Sequence, residues 1–228
     1  MDSKWIYKVK EWVNKVDPVR FKARLVAKGF TQREGKDYNE IFSPMIRYTT
    51  IRVMLALVAH NDWEIEQMDV KIAFLHGDLE ETIYMKQPEG FEVKGRQEMV
   101  CLLKKSLYSL KQSPRQWYKR LDSFITSVGF ERSQYDSCLY HKRSGHKCAL
   151  YVLLYMNDML LISDSAENIK SLKHKLSSEF DMKDIGKARR ILGMEIIRNR
   201  ISRVLSLKQS SYLEKVLSKF SMIDAKPT

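Results

Sequence analysis

Two short apolar runs, 149–156 and 159–162, flank the polar pair Asn157-Asp158. Runs this short around a turn-forming pair predict buried strands joined as a hairpin, with Asn157-Asp158 at its tip. A carboxylate there is either solvated or holding a cation, because burying it unpaired costs several kcal/mol. The residues alone leave both readings open, since Asn and Asp also favour turns for conformational reasons.

The same patterning organises the rest of the chain. Trp5-Ile-Tyr-Lys-Val-Lys10 alternates apolar and basic residues, and 20–28 does so more loosely. With turn signals from Asn14 to Pro18 between them, they predict an antiparallel hairpin. Lys22 and Arg24 share a face of that hairpin, either as a grip on a phosphate chain or as a solvated surface. Thr49-Thr50 ahead of the apolar segment 51–59 predicts a mostly buried, threonine-capped helix that stops at Asn61-Asp62. A strand over 63–70 follows, ending at Asp69, then a turn at His76-Gly77-Asp78 and a short strand over 83–86. Ser113-Pro114 predicts a helix start with Ser as cap and Pro at the first helical position. Trp117, Leu121, Phe124, Ile125 and Val128 continue that helix to Gly129. A capped start over 164–167 opens an amphipathic helix through Ile169, Leu172, Leu176 and Phe180. Ser211-Tyr-Leu-Glu214 reads as a capping box leading into Val216, Leu217 and Phe220. Between these two helices, 191–197 and 204–207 are strand-like. The order predicts an α+β fold of antiparallel hairpins backed by helices, divided into sub-lobes rather than linked domains.

Composition adds a partner. The chain has 228 residues and a net charge of +12, with Lys and Arg spread from end to end. That spread favours a polyanion, nucleic acid first, over the plainer reading of a basic surface that maintains solubility. Three cysteines without a CxxC spacing point away from zinc and disulfide frameworks and toward a reducing compartment. No signal-peptide pattern or membrane-length apolar run is present, so an intracellular protein with no membrane partner is expected.

Asp69 and Asp158 come from two separate predicted strands. Carboxylates delivered from neighbouring strand ends to two divalent ions about 3.5–4 Å apart form the two-metal device of polymerases and nucleases. Mg²⁺ suits such a site, because it uses one or two carboxylates plus substrate phosphates.

At this point a family resemblance becomes specific. Phe21-Lys-Ala-Arg-Leu-Val-Ala-Lys-Gly-Phe-Thr-Gln32, Phe42-Ser-Pro44 and Gln67-Met-Asp-Val-Lys-Ile-Ala-Phe-Leu-His-Gly-Asp-Leu79 resemble motifs of copia-type LTR retrotransposon reverse transcriptases. So do Ile83-Tyr-Met-Lys-Gln-Pro-Glu-Gly-Phe91 and Ser106-Leu-Tyr-Ser-Leu-Lys-Gln-Ser-Pro-Arg-Gln-Trp-Tyr118. The segment 151–162 stands where that family has its Tyr-x-Asp-Asp hairpin, and 180–186 and 192–196 resemble its primer-contacting region.

The resemblance implies a right-hand polymerase, with an antiparallel palm sheet backed by helices, fingers and a partial thumb. The sub-lobes implied are 1–62 for the fingers, 63–200 for the palm with finger insertions and 201–228 for the start of the thumb, in a Pol polyprotein piece truncated at the fingers. It also implies roles. Asp69 and Asp158 are the catalytic carboxylates and, with the carbonyl of Val70, the ligands of two Mg²⁺ ions, or of Mn²⁺ in their place. Ile72 and Ala73 offer backbone N–H groups to the triphosphate, and Phe74 is the steric gate beneath the sugar. Lys22 and Arg24 are alternative clamps for the incoming phosphates. Tyr108, Ser109 and Leu110 pack against the nascent base pair, with Lys111 near the template. Tyr155, Met156, Leu192, Gly193 and Met194 contact primer or template. The implied partners are an RNA or DNA primer–template, deoxynucleotides and other parts of a Pol polyprotein, in the cytoplasm (within a virus-like particle) or the nucleus.

Three positions depart from the family pattern. Asn157 stands where the family has aspartate, Ser109 where it usually has glycine, and Ile72 where it has Thr or Ser. Asn157 is therefore a degenerate catalytic position. Losing about 3–4 kcal/mol of charge stabilisation there would slow the reaction by roughly two to three powers of ten. The alternative is a catalytically dead remnant that only binds nucleic acid.

Overall fold

The computed structural model describes residues 1–10, 20–144, 147–223 and 225. The turn expected from Asn14 to Pro18 lies outside them. In chain order the strands are β1 (Ser3–Lys10), β2 (Arg20–Ala27), β3 (Glu64–Val70), β4 (Tyr84–Lys86), β5 (Val100–Leu102), β6 (Glu131–Arg132), β7 (Leu139–Ser144), β8 (Lys147–Tyr155), β9 (Asp158–Ser163), β10 (Met182–Lys187), β11 (Arg190–Ile191), β12 (Met194–Asn199) and β13 (Val204–Lys208). The α-helices are α1 (Tyr48–Asn61), α2 (Ser113–Ser127), α3 (Ala166–Glu179) and α4 (Ser210–Lys219). A mixed fold with antiparallel sheets and four helices is thus present among the described residues.

The chain divides into two compact units. One comprises 1–44 and 72–129, the other 45–71 and 130–228. In the first, β1 and β2 form the expected antiparallel hairpin, and β4 pairs with β5. Ala27, Ile83 and Leu110 are its buried cluster, with Leu79, Leu103 and Leu107 packed against them.

The second unit is built on an antiparallel sheet of order β10-β3-β9-β8-β7-β6. Strand β9 is its centre, and Met159, Leu160, Leu161 and Ile162 are each no more than 1% exposed. A strand buried on both faces requires this continuous apolar run, and each such Leu or Ile contributes roughly 1.5–3 kcal/mol. Helix α3 buries Ile169, Leu172 and Leu176, and its Lys173 bridges Glu66 of β3 and Asp184 of β10. The two carboxylates hold the Lys173 ammonium above its ordinary pKa even though burial opposes this.

Several local expectations need correction. The hairpin tip is Met156-Asn157, because Tyr155 pairs directly with Asp158. Met156 takes φ 52° there, and Asp158 is the first residue of β9 rather than part of the turn. The strand expected over 191–197 is broken at Leu192-Gly193, both at positive φ, into the hairpin β11–β12. The serine and threonine caps are replaced by longer-range bonds. Thr50 donates to Asp136 at 2.6 Å, and Asp136 also accepts from the amide of Arg47 at 3.0 Å, so a distant carboxylate caps α1. Ser113 is already helical and donates to the carbonyl of Leu107, with Pro114 following it. Ser165 precedes α3 without a side-chain cap bond. Ser211 bonds Glu195 rather than closing a capping box. Helix α4 has no buried residue, so the apolar face expected through Val216, Leu217 and Phe220 is not covered among the described residues.

Candidate active site

The sheet register sets the central geometry. In the antiparallel pair β3–β9, Asp69 lies directly opposite Asp158. Directly opposed residues have Cβ atoms about 4.5–5.5 Å apart on one face, so the two carboxylates can share an ion. The row extends on both sides, with Lys183 of β10 opposite Asp69 and Tyr155 of β8 opposite Asp158. Gln67, two residues before Asp69 and on the same face, donates to Oδ1 of Asp158 at 3.1 Å.

Burial pushes the carboxyl of Asp158 above its ordinary pKa. The hydrogen bond from Gln67 pulls it back, and the charge of Asp69 pushes it up again. Asn157 holds the turn against β3, its backbone carbonyl accepting from the amide of Val70 at 2.9 Å. Its side-chain oxygen is buried and has no hydrogen-bond partner among the described residues. An orphaned acceptor of that kind carries a desolvation penalty of about 1–3 kcal/mol unless something occupies it. No group of three or more His, Cys, Asp and Glu side chains is placed to hold a metal among the described residues. What exists is two carboxylates and an amide oxygen. That all-oxygen set suits a hard divalent cation and fits Mg²⁺ chemistry, one negative charge short of a triple-carboxylate site.

A second cluster lies in the other unit. The guanidinium of Arg24 sits 5.4 Å from the ring centroid of Tyr108, and Phe74 meets the same ring edge-on at 5.4 Å. Two separate segments of the sequence-predicted set, those of Arg24 and Phe74, therefore converge on Tyr108. The amide of Ala27 and the carbonyl of Tyr108 join at 3.0 Å and fix the contact. Ser109 has φ 70°, and a Cβ added at Gly29 would lie 1.8 Å from the Ser109 carbonyl oxygen. The chain crosses itself there at a distance only glycine allows. Ile72 has φ 48°, unusual for a β-branched residue, and stands with Ala73 at the start of a short 3₁₀ turn where backbone N–H groups lack intrahelical partners. Lys22 shares the Arg24 face in the β1–β2 register. Lys111 is engaged within this unit, its ammonium 3.0 Å from the Tyr38 hydroxyl and 4.6 Å from that ring's centroid.

Leu192 and Gly193 form the β11–β12 turn, with Met194 the first residue of β12, and the two turn residues line the same cleft as Tyr155 and Asp158. Gln67 and Lys183 also neighbour the carboxylates. The period of two along β3 could have flagged Gln67. Lys183 needed the β10–β3 pairing, which the polar segment Met182–Lys187 does not announce.

Comparison with known proteins gives this geometry a family. The model of the family described as Reverse transcriptase (RNA-dependent DNA polymerase) matches residues 1–228, and the chain belongs to that family. The Retrovirus-related Pol polyprotein from transposon TNT 1-94 of Nicotiana tabacum is 53% identical over 227 residues, covering 100% of this chain and 17% of the relative. The corresponding polyprotein from transposon RE1 of Arabidopsis thaliana is 40% identical over 98% of this chain and 15% of its own length. The Transposon Ty1-BL Gag-Pol polyprotein of Saccharomyces cerevisiae is 30% identical over 86% of this chain and 11% of its own length. The chain thus spans only about a sixth of the length of the two plant relatives. No helix among the described residues is long and apolar enough to cross a membrane.

Proposed function

We propose that the chain is the RNA-directed DNA polymerase module of a copia-type retrotransposon Pol polyprotein, with nucleotidyl transfer weakened by Asn157. The observation that carries this reading is the direct pairing of Asp69 with Asp158, next to the orphaned oxygen of Asn157. Residues 1–62 would serve as fingers, 63–200 as palm with finger insertions, and 201–228 as the start of a thumb.

Asp69, Asp158 and the carbonyl of Val70 would hold the divalent ions, with the Asn157 amide oxygen as a neutral ligand. Bound there, Mg²⁺ supplies a lowered pKa for the primer 3′-hydroxyl and charge neutralisation at the pyrophosphate. The protein's own groups do the rest. Arg24, already held over Tyr108, is the better clamp for incoming phosphates, with Lys22 beside it in register. The start of the 3₁₀ turn at Ile72 and Ala73 offers N–H donors to the triphosphate. Phe74, braced by Tyr108, would stack beneath the sugar and exclude a 2′-hydroxyl. Tyr108, Ser109 and Leu110 would back the nascent base pair, and Lys111 would act near the template chiefly by fixing Tyr38 and Gln32. Tyr155, Met156 and the segment 192–194 would hold the primer end.

The test is Mg²⁺-dependent extension of a DNA primer on an RNA template. Slow extension that Asp69→Asn abolishes supports the reading. A second reading, a nucleic-acid-binding remnant, draws on the neutral side chain of Asn157. Salt-sensitive primer–template binding without extension in either the wild type or Asn157→Asp would establish that reading and sink the first.

A further inference from the structure

Gln67 is only 7% exposed, and its side-chain amide donates to Oδ1 of Asp158 at 3.1 Å. A buried amide on an interior strand calls for a reason, because an apolar residue there would avoid the cost of desolvating polar atoms. The register supplies one. Gln67 lies opposite Leu160 of β9, so Asp158 is its diagonal neighbour, about 7–8 Å away and within reach of a long side chain. On the other side Gln67 faces Gly186 of β10, past an irregularity at Ile185, and glycine has no side chain to draw the amide away. Oδ2 of Asp158 accepts no hydrogen bond among the described residues. The carboxylate is therefore held at one oxygen and open at the other. An oxygen with an amide hydrogen beside it is a poor second arm for gripping a cation, since the positive end of the donor repels the ion.

Resting on the polymerase reading above, we infer that Gln67 is a positioning residue that limits Asp158 to ligation through one oxygen and so biases the site toward small octahedral ions over Ca²⁺. Mg²⁺ demands near-ideal octahedral geometry, whereas Ca²⁺ takes about six to eight oxygens and accepts a carboxylate through one oxygen or both. Gln67 acts through Asp158 and itself touches neither ion nor substrate.

The experiment titrates the full chain with Mn²⁺ at one fixed pH, without nucleic acid, following free Mn²⁺ by electron paramagnetic resonance, and then displaces the bound ion with Ca²⁺. Binding that survives in Asp69→Asn is subtracted as belonging to other sites. Wild type is compared with Gln67→Met and Gln67→Leu, which remove the donor and keep an apolar side chain in its place. A control, Ile65→Val, loosens packing on the same face of β3 without touching the bond. The two Gln67 variants should bind Mn²⁺ about 10–100-fold more weakly, the usual effect of losing a hydrogen bond behind a metal ligand. Ca²⁺ should lose less, so the preference for Mn²⁺ shrinks, and Ile65→Val should change neither ion. Wild-type Mn²⁺ affinity in the Gln67 variants, or an equal loss for both ions, overturns the inference and leaves the polymerase reading standing. The same loss in Ile65→Val also overturns it, by tracing the effect to packing. A wild type with no Asp69-dependent Mn²⁺ binding would remove the metal site, and both readings with it.

Discussion

Replacing Asn157 with aspartate adds one negative charge at the turn immediately before Asp158, without disturbing the backbone bond from Val70 to the carbonyl of residue 157. A unit charge pair about 4 Å apart at an effective dielectric of about 20 interacts by about 4 kcal/mol. In the metal-free protein that term is repulsive, since the new carboxylate joins Asp69 and Asp158. It also converts a buried, unpartnered amide oxygen into a charged one. With a divalent ion present the term changes sign and acts on twice the charge. One such ion thereby offsets the repulsion from the two carboxylates, and firmer charge stabilisation of the transition state, about 3–4 kcal/mol of the several a catalytic ion supplies, corresponds to roughly two to three powers of ten in rate. Single-turnover extension by one nucleotide, with saturating Mg²⁺, should therefore be faster in Asn157→Asp by that factor. The same variant should melt lower than wild type in chelator and recover when Mg²⁺ is added. A folded Asn157→Asp protein that extends no faster, and whose melting ignores Mg²⁺, would refute the assignment of residue 157 to the metal site.

Three further outcomes follow from the geometry. A carboxyl whose folded pKa is raised, as burial raises that of Asp158, binds its proton more tightly when folded, so its contribution to stability is complete below about pH 4 and falls as pH rises through the raised value. Asp158→Asn, which can still accept from Gln67, should melt with wild type at low pH and roughly 1–3 °C higher at neutral pH in chelator, a small gain because the group is only half-buried. Ser109→Gly relieves a left-handed backbone costing about 1–2 kcal/mol, partly offset by glycine's unfolded-state entropy, so urea titration should find it more stable by about 0.5–1 kcal/mol. Asp136→Ala removes the acceptor for the amides of Arg47 and Cys138 and the hydroxyl of Thr50, and should cost about 1–3 kcal/mol in the same titration.

Much of the architecture was legible because its signals are local. The apolar runs on either side of residue 157 predict the central hairpin, and alternation in 5–10 and 20–28 predicts the β1–β2 pair. What failed depended on distant partners. Thr50 looks like a cap from sequence, but Asp136 arrives from far along the chain and takes that role. Ser211 looks like half of a capping box, but Glu195 claims its hydroxyl. The turn-forming pair Asn157-Asp158 predicts a hairpin tip one residue beyond the observed Met156-Asn157, and a one-residue shift turns a side chain to the other face. The shift matters here because Asp158 in strand register, rather than in the turn, is what sets it opposite Asp69. The candidate site itself was readable mainly through family resemblance. The unpartnered amide oxygen of Asn157, the bond from Gln67 and the neighbouring Lys183 required the fold.

The most direct test of the metal site is an anomalous difference map from crystals of the chain soaked in Mn²⁺. The account predicts a peak within coordination distance of both Asp69 and Asp158, with the Asn157 side-chain oxygen among the nearest atoms. Density absent from that position, or carboxylates turned apart with the ion bound elsewhere, would contradict it.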